Sequence, residues 1–264
     1  MLKADNLHIT FNAGSPIETR ALRGLSLEIP TGQFVTVIGS NGAGKSTLLN
    51  AISGEAMLDR GSIVIDGTEL GRMPVWRRAA RVARVFQDPL LGTCEDLTIE
   101  ENLALAASRG GRRGLRRALG SNMRSEFRER LAILGLGLED RLQDRIGLLS
   151  GGQRQAVSLL MAALRPSRIL LLDEHTAALD PRIAAFVLDI TRRIVAERKL
   201  TTLMVTHSMR QALEIGDRTI MLHQGQVVLD VAGEARTRLD VPQLLELFER
   251  VRGETVWDDA LLLG

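Results

Sequence analysis

The chain has 264 residues, of which 45% are apolar and 25% charged, an ordinary composition for a globular protein that buries a sizeable core. A net charge of +2 and an aromatic content of 3% give no support for nucleic-acid binding. The lone cysteine, Cys94, excludes an internal disulfide and a cysteine-cluster metal site, and we expect it to be a passive loop residue. No apolar run reaches the roughly 18 residues of a membrane span and the first residues lack a secretory-signal pattern, so we expect a cytoplasmic protein.

The sequence predicts strands that alternate with helices along most of the chain. The first third predicts strands over 4–11, 21–29 and 33–39, then a glycine-rich loop and a helix from about Lys45. Two more strands follow at 62–66 and 81–86, and apolar spacing predicts helices from 98 to 164. The last third predicts strands at 168–173, 201–206, 219–222 and 226–230, a helix after Pro181 and a closing helix over 241–251. This order is typical of an α/β fold with a mainly parallel sheet and an inserted helical lobe.

A P-loop pattern follows the third predicted strand and opens the first helix. It comprises Gly39, Ser40, Asn41, Gly42, Ala43, Gly44, Lys45, Ser46 and Thr47. The glycines allow backbone N–H groups to approach phosphate oxygens, and the helix N-terminus adds the positive end of its dipole. In this pattern Lys45 reaches the β- and γ-phosphates and the Ser46 hydroxyl binds Mg²⁺, so the cofactors predicted are ATP and Mg²⁺.

Two adjacent carboxylates end the apolar segment at 168–174. A buried strand would deliver Asp173 to a metal ion at its carboxyl end, where ligands bind in open α/β sheets. Glu174 points differently and is placed to polarise an attacking water. We therefore predict Asp173 as a magnesium ligand and Glu174 as the general base.

The segment Leu149-Ser150-Gly151-Gly152-Gln153 completes the set of motifs. Together with the P-loop and the acidic pair, it resembles the signature of the ABC ATPase family, and the resemblance runs from about Ala4 to Val231. It implies a P-loop NTPase fold with a RecA-like, mainly parallel core, an antiparallel β sub-lobe and an inserted helical sub-lobe. We divide this single ABC ATPase domain into a nucleotide-binding core with the β sub-lobe (1–90 and 165–235), a helical sub-lobe with the signature (91–164) and a C-terminal helix and tail (236–264).

The resemblance also implies a working assembly. In this family two subunits pair head to tail, and the signature of one caps the nucleotide held by the P-loop of the other. Ser150, Gly151, Gly152 and Gln153 at a helix N-terminus suit such a role, since they offer a second anion cradle. The implied partners are a second ATPase subunit (the same chain or a paired one), a transmembrane permease and a substrate-binding lipoprotein, with the chain peripheral on the inner face of the membrane.

Four further residues match family positions. Gln87 matches the glutamine that contacts Mg²⁺ or water and senses the permease, and Asp180 matches the loop that links the two sites. His207 matches the switch histidine at the γ-phosphate, and Phe11 lies where the family stacks an aromatic ring on adenine.

The chain departs from the family pattern at a few positions. His175 replaces the proline that often follows the catalytic glutamate, and Ala156 and Met161 stand where many members have arginines. His175 is expected to be a bystander. Together with Gly92-Thr93 and the segment 97–103, the His175 segment resembles a subgroup that serves uptake systems with a lipoprotein-type substrate-binding partner, for amino acids or small organic solutes. The run 109–117 carries five arginines; it is either a solvated loop or a contact for anionic lipid. Trp257 and the leucines at 261–263 are expected to pack on the body or on a second subunit.

Other functions remain open at this point. An ATPase with a soluble partner, of the iron–sulfur cluster assembly type, has a similar length, whereas the DNA-repair type would need a long coiled coil that the chain lacks. A nucleotide-binding regulator without turnover is disfavoured because Glu174 and His207 are both present. The sequence favours import over export but does not identify the cargo.

Overall fold

The computed structural model describes residues 1–111 and 119–252, which form two compact units. The first unit contains Met1–Arg78 and the chain from Leu200 onward; the second contains Ala79–Lys199. The boundaries of these units differ from those of the domains expected from the sequence. Residues 79–90 and 165–199, which were expected in the nucleotide-binding core, belong to the unit that contains the helical region. The expected functional division remains a prediction.

The first unit holds an antiparallel sheet in the order β2-β1-β4-β5. Its strands are β1 (Leu2–Phe11), β2 (Thr19–Ile29), β4 (Arg60–Ile65) and β5 (Thr68–Glu69). Alternate residues of β2 and β4 are buried, as expected for strands with one face on a core.

The first unit also contributes four strands in the order β10-β9-β3-β8. Here β3 (Phe34–Gly39) runs parallel to both β8 (Thr202–Val205) and β9 (Arg218–His223), while β10 (Gln226–Ala232) is antiparallel to β9. Every residue of β3 and β8 is buried, which explains their continuous apolar sequences. The helices of this unit are α1 (Lys45–Ser53), α2 (Val75–Arg78), α7 (Met209–Glu214), α8 (Gly233–Thr237) and α9 (Val241–Arg252).

The C-terminal helix α9 belongs to the core of the first unit. Its Leu244 and Phe248 are fully buried and cluster with Ile38, Met209 and Met221. Ile38 directly precedes the P-loop and Met209 begins α7. The helix therefore packs beneath two of the predicted site segments.

The second unit combines two parallel strands with the helices. Strand β6 (Val82–Val85) pairs in register with β7 (Ile169–Asp173), so that Arg84 lies opposite Leu171. The helices are α3 (Ile99–Ala107), α4 (Ser121–Ala132), α5 (Gly151–Ala163) and α6 (Pro181–Arg198). The described residues of the region predicted as helical from 98 to 164 therefore form three helices, with two short 3₁₀ turns between α4 and α5.

The basic run is only partly within the described residues. Arg109 donates hydrogen bonds to the carbonyls of Ala162 and Arg165, at 2.9 and 3.2 Å, where it caps the C-terminal end of α5. The arginines at 112–117, Trp257 and the leucines at 261–263 lie outside the described residues. Within the parts of the chain that are described, no helix is both long and apolar enough to cross a membrane.

Candidate functional site

The P-loop connects β3 to α1 and depends on glycines with left-handed backbone angles. Gly39, Gly42 and Gly44 have φ of 151°, 75° and 101°. A Cβ on Gly39 would lie 2.3 Å from the Leu222 carbonyl oxygen, and one on Gly44 would lie 2.6 Å from that of Ala21. These two glycines are required by the neighbouring β9 and β2. A Cβ on Gly42 would meet nothing within 4 Å, so this exposed glycine is required by its backbone conformation alone.

Lys45 lies at the centre of this loop. Its ammonium donates to the carbonyl oxygens of Gly39, at 2.7 Å, and Ser40, at 3.1 Å, and the residue is only 5% exposed. The loop therefore encloses a cation with several backbone groups around it. Ser46 and Asn41 are exposed at its rim, and Thr47 is half-buried in the first turn of α1.

Phe11 and His207 also belong to the first unit. Phe11 is the last residue of β1 and is 42% exposed, so its ring has an open face for stacking. His207 follows β8 and is half-buried before α7. The first unit thus holds the predicted phosphate loop, adenine contact and switch histidine.

The acidic pair lies at the carboxyl end of β7 in the second unit. Asp173 and Glu174 are both buried, at 7% and 8% exposure. The Asp173 carboxylate accepts a hydrogen bond from Arg84 on β6, with 2.6 Å between Oδ2 and Nη2. Arg84 also lies over the ring of Phe86, 4.7 Å from its centroid. Asp173 is therefore held by a buried cation that no sequence motif indicated.

Glu174 adopts a left-handed backbone conformation, with φ of 45°, directly after the strand. Such a conformation is uncommon for a non-glycine residue.

His175 is itself fully packed inside the second unit. Its Nε2 lies 3.0 Å from Thr191 Oγ1 in α6, and the Thr191 hydroxyl donates to the Val187 carbonyl. The hydroxyl proton is used in that second bond, so His175 Nε2–H is the donor to Thr191. Burial lowers the pKa of His175 to about 4, so the ring is neutral at pH 7. Buried in this way, His175 is a structural anchor for the loop that carries Glu174.

The signature residues form the N-terminus of α5. Ser150 Oγ accepts from the Gln153 N–H, and Gln153 Oε1 accepts from the Ser150 N–H, which makes a complete capping box. The two glycines differ: a Cβ on Gly152 would lie 2.2 Å from Ile183 Cγ2, whereas one on Gly151 would meet only Leu179 at 3.8 Å. Packing against α6 therefore requires Gly152, but nothing within the described chain requires Gly151 to be a glycine.

Gln87 and Asp180 are both exposed. The backbone before Gln87 is tied to the signature helix, because the buried Gln155 amide donates to the Phe86 carbonyl at 3.3 Å. Asp180 caps α6, accepting from the Ile183 N–H, and Pro181 follows at the first helical position. The second unit thus holds Gln87, the signature, the acidic pair and Asp180.

These residues suit the predicted cofactors. The P-loop offers backbone N–H groups and an ammonium for phosphate, while Ser46, Gln87 and Asp173 offer the oxygen ligands that Mg²⁺ prefers. The described residues contain no cluster of three or more His, Cys, Asp or Glu that could hold a metal ion alone.

Two residues of the second unit were missed by sequence reasoning, Arg84 and Thr191. Their partners are 89 and 16 residues away along the chain. The only sequence signal for Arg84 is its position as the one charged residue of β6, where every neighbour within the strand is apolar.

Comparison with known proteins identifies the family of the chain. The family model described as ABC transporter matches residues 22–177. A tyrosine transport ATP-binding protein of Clostridioides difficile is 45% identical over 94% of this chain and 99% of its own length. An aliphatic sulfonates import ATP-binding protein of Agrobacterium fabrum is 34% identical over 88% of this chain and 82% of its own.

A solved structure shares the same fold. The ATP-binding cassette MJ0796, as a dimer in a post-hydrolysis state bound to ADP and phosphate, superposes with a TM-score of 0.76 at 28% identity. The alignment covers 88% of this chain and 98% of that one. With the P-loop, the acidic pair and the signature all in place, the chain belongs to the ABC transporter family and is an ATP-binding subunit that hydrolyses ATP.

Proposed function

We propose that two copies of this chain, or one copy and a paired ATPase subunit, associate head to tail and bind Mg²⁺–ATP between them. The paired subunits then drive a separate permease. The observation that carries the paired arrangement is Gly151, which is exposed at the start of α5 and has no packing reason to be a glycine. An absent side chain at a helix N-terminus is what close approach of a phosphate requires. The dimeric form of MJ0796 bound to ADP and phosphate supports the same arrangement.

Each predicted residue has a role in this proposal. Lys45 and the P-loop backbone, Gly39 to Thr47, bind the phosphates; Phe11 stacks on adenine; Ser150, Gly151, Gly152 and Gln153 of the partner copy cover the γ-phosphate. Ser46, Gln87 and Asp173 would hold Mg²⁺, which neutralises charge on the phosphates when bound. Asp180 links the two nucleotide sites.

Hydrolysis in this proposal depends on positioning and charge stabilisation. Glu174 accepts the proton of the attacking water, and the left-handed turn that precedes His175 orients this glutamate. His207 and Lys45 would contact the γ-phosphate, and Gln87 would contact Mg²⁺ or water and sense the permease. Loss of the γ-phosphate then removes the charge that holds the two copies together.

We further propose that the cargo enters the cell and is an amino acid or another small organic solute. Support comes from the relatives named for tyrosine transport and for aliphatic sulfonates import. A permease would carry the solute, a lipoprotein would deliver it, and the chain would lie peripherally on the inner face of the membrane. Selectivity then resides in those partners, outside this chain.

The transport role is tested by affinity purification of the tagged chain from its host in mild detergent, followed by mass spectrometry. We expect a multi-span permease and a substrate-binding lipoprotein to co-purify, and a Leu91→Asp variant to lose them, because Leu91 is an exposed leucine four residues after Gln87. A Trp76→Asp variant, with a similarly exposed apolar side chain in the first unit, is the matched control. Recovery of soluble partners alone would overturn the transport role and favour cluster assembly, with the ATPase activity unaffected.

A further inference from the structure

The ion pair between Arg84 and Asp173 lies within the proposed metal site. The two side chains are 9% and 11% exposed, and 2.6 Å separate their nearest nitrogen and oxygen. Arg84 lies opposite Leu171 in the register, so it is a diagonal neighbour of Asp173 on the same face of the strand pair.

The ion pair is a costly way to join two strands. The other residues of β6 are Val82, Ala83 and Val85, and a fourth apolar residue would pack at this position without desolvating a charge. Buried ion pairs add little stability compared with well-packed apolar side chains. A structural role alone therefore gives no reason for an arginine here. The reason lies in its partner Asp173, which is the one carboxylate proposed to ligate Mg²⁺.

The charges explain what the arginine does at this position. A guanidinium in contact with Asp173 neutralises the carboxylate and repels a divalent cation that approaches the same group. Phe86 holds the guanidinium in place by a cation–π contact, which favours retention of the pair. A metal ion can use Asp173 only by overcoming this competition.

We propose that Arg84 is a built-in competitor of the metal ion at Asp173 and sets the Mg²⁺ affinity of the chain below the value that Asp173 alone would give. This inference rests on the proposed function, in which Asp173 is a magnesium ligand. Arg84 acts through Asp173 and is therefore a positioning residue. Its effect is specific for the metal, because it acts on the carboxylate and leaves the P-loop unchanged.

The test measures Mn²⁺ binding by electron paramagnetic resonance, with a non-hydrolysable ATP analogue at saturation. Arg84→Met removes the charge and keeps an unbranched side chain against Phe86, and we expect the Mn²⁺ Kd to fall at least about fivefold. Arg84→Gln also removes the charge but keeps a side-chain hydrogen-bond donor for Asp173, and we expect the same fall in the Mn²⁺ Kd. This second variant keeps the test valid if Arg84→Met does not fold. Arg84→Lys keeps the charge and should stay close to the wild-type value.

Arg124→Met is the matched control. It also removes an arginine from a buried carboxylate of the second unit, since Arg124 bonds Glu100 at 2.8 Å. We expect its Mn²⁺ Kd to equal that of the wild type. Unchanged or weaker Mn²⁺ binding in both Arg84→Met and Arg84→Gln would overturn the proposal.

The Asp173→Asn variant distinguishes failure of the proposed Mg²⁺ ligand Asp173 from failure of the proposed competition by Arg84. If this variant binds Mn²⁺ as tightly as the wild type, Asp173 is not a ligand and the metal assignment of the proposed function fails. If Asp173→Asn weakens Mn²⁺ binding but the neutral Arg84 variants do not tighten it, the proposed function stands and only the competition by Arg84 is wrong.

Discussion

Gly151 and Gly152 are adjacent in the signature, yet they are glycines for different reasons. Gly152 faces Ile183 of α6, and a Cβ there would lie 2.2 Å from a methyl carbon. A Cβ on Gly151 would meet only Leu179, at an ordinary contact distance of 3.8 Å. The structure therefore separates a glycine that the fold needs from one that an incoming ligand would need, although the motif presents them as equivalent.

The two alanine variants should behave oppositely. Gly152→Ala overpacks the contact between α5 and α6, and we expect the free energy of unfolding to fall by about 1–3 kcal/mol. Gly151→Ala should leave stability unchanged or slightly raised, since alanine is the better helix former, while lowering ATPase activity by at least about tenfold through lost phosphate contact. Urea denaturation and steady-state ATPase assays measure the two effects. Full activity in Gly151→Ala would argue against phosphate contact at this residue.

Residue-scale predictions from sequence succeeded where a motif fixes a local backbone shape. The turn around Gly39, Gly42 and Gly44 is encoded by neighbouring residues, so the pattern was sufficient to place it. The partners of Asp173 and His175 were not predictable in this way. Arg84 reaches Asp173 only through the register of β6 with β7, and Thr191 reaches His175 only because α6 folds back beneath the loop.

At the scale of elements, the connection between β7 and α6 is anchored by His175. The pKa of this buried ring is about 4 in the fold, against 6.5 for an ordinary histidine. Between these values the unfolded chain binds a proton that the folded chain does not. The stability that the buried, neutral His175 contributes is therefore complete above about pH 6.5 and is lost as the pH falls toward 4.

His175→Gln should remove this pH dependence while keeping a donor for Thr191. From pH 7.5 to pH 5.0 we expect the wild type to lose about 2 kcal/mol of unfolding free energy through His175, and the variant to lose correspondingly less. Thr191→Val is the control, because it breaks the hydrogen bond but leaves the ring buried, so its pH-dependent loss should persist. The measurement is urea denaturation at the two pH values; an equal loss in wild type and His175→Gln would refute this role of His175.

Prediction of elements from sequence was most accurate where apolar runs were long and buried. The predicted β3 and β7 differ from the observed strands by one residue at their starts, and the predicted α9 differs by one residue at its end. The two-residue strand β5 and the four-residue helix α2 were missed because neither is long enough to show a periodicity. Within the described residues between 98 and 164, the apolar spacing indicated helix correctly but did not reveal the two 3₁₀ turns that separate α4 from α5.

For the whole molecule, the two units hold different parts of the predicted machinery. The P-loop, Phe11 and His207 belong to the first unit, and Gln87, the signature, the acidic pair and Asp180 belong to the second. The family resemblance, through its motifs, led to the fold class and the ATPase activity. The cargo cannot be deduced in the same way, because no residue of this chain is proposed to contact it.

The central claim is that ATP is bound between two copies, and light scattering of the Glu174→Gln variant tests it most directly. This variant keeps every proposed binding group but loses the general base, so ATP should hold the copies together without turnover. At saturating Mg²⁺–ATP we predict a mass of twice 28.9 kDa, and a single-copy mass when Lys45→Ala is added to the same variant. A single-copy mass for Glu174→Gln, with bound ATP confirmed by titration, would contradict an ATP site between two copies of this chain.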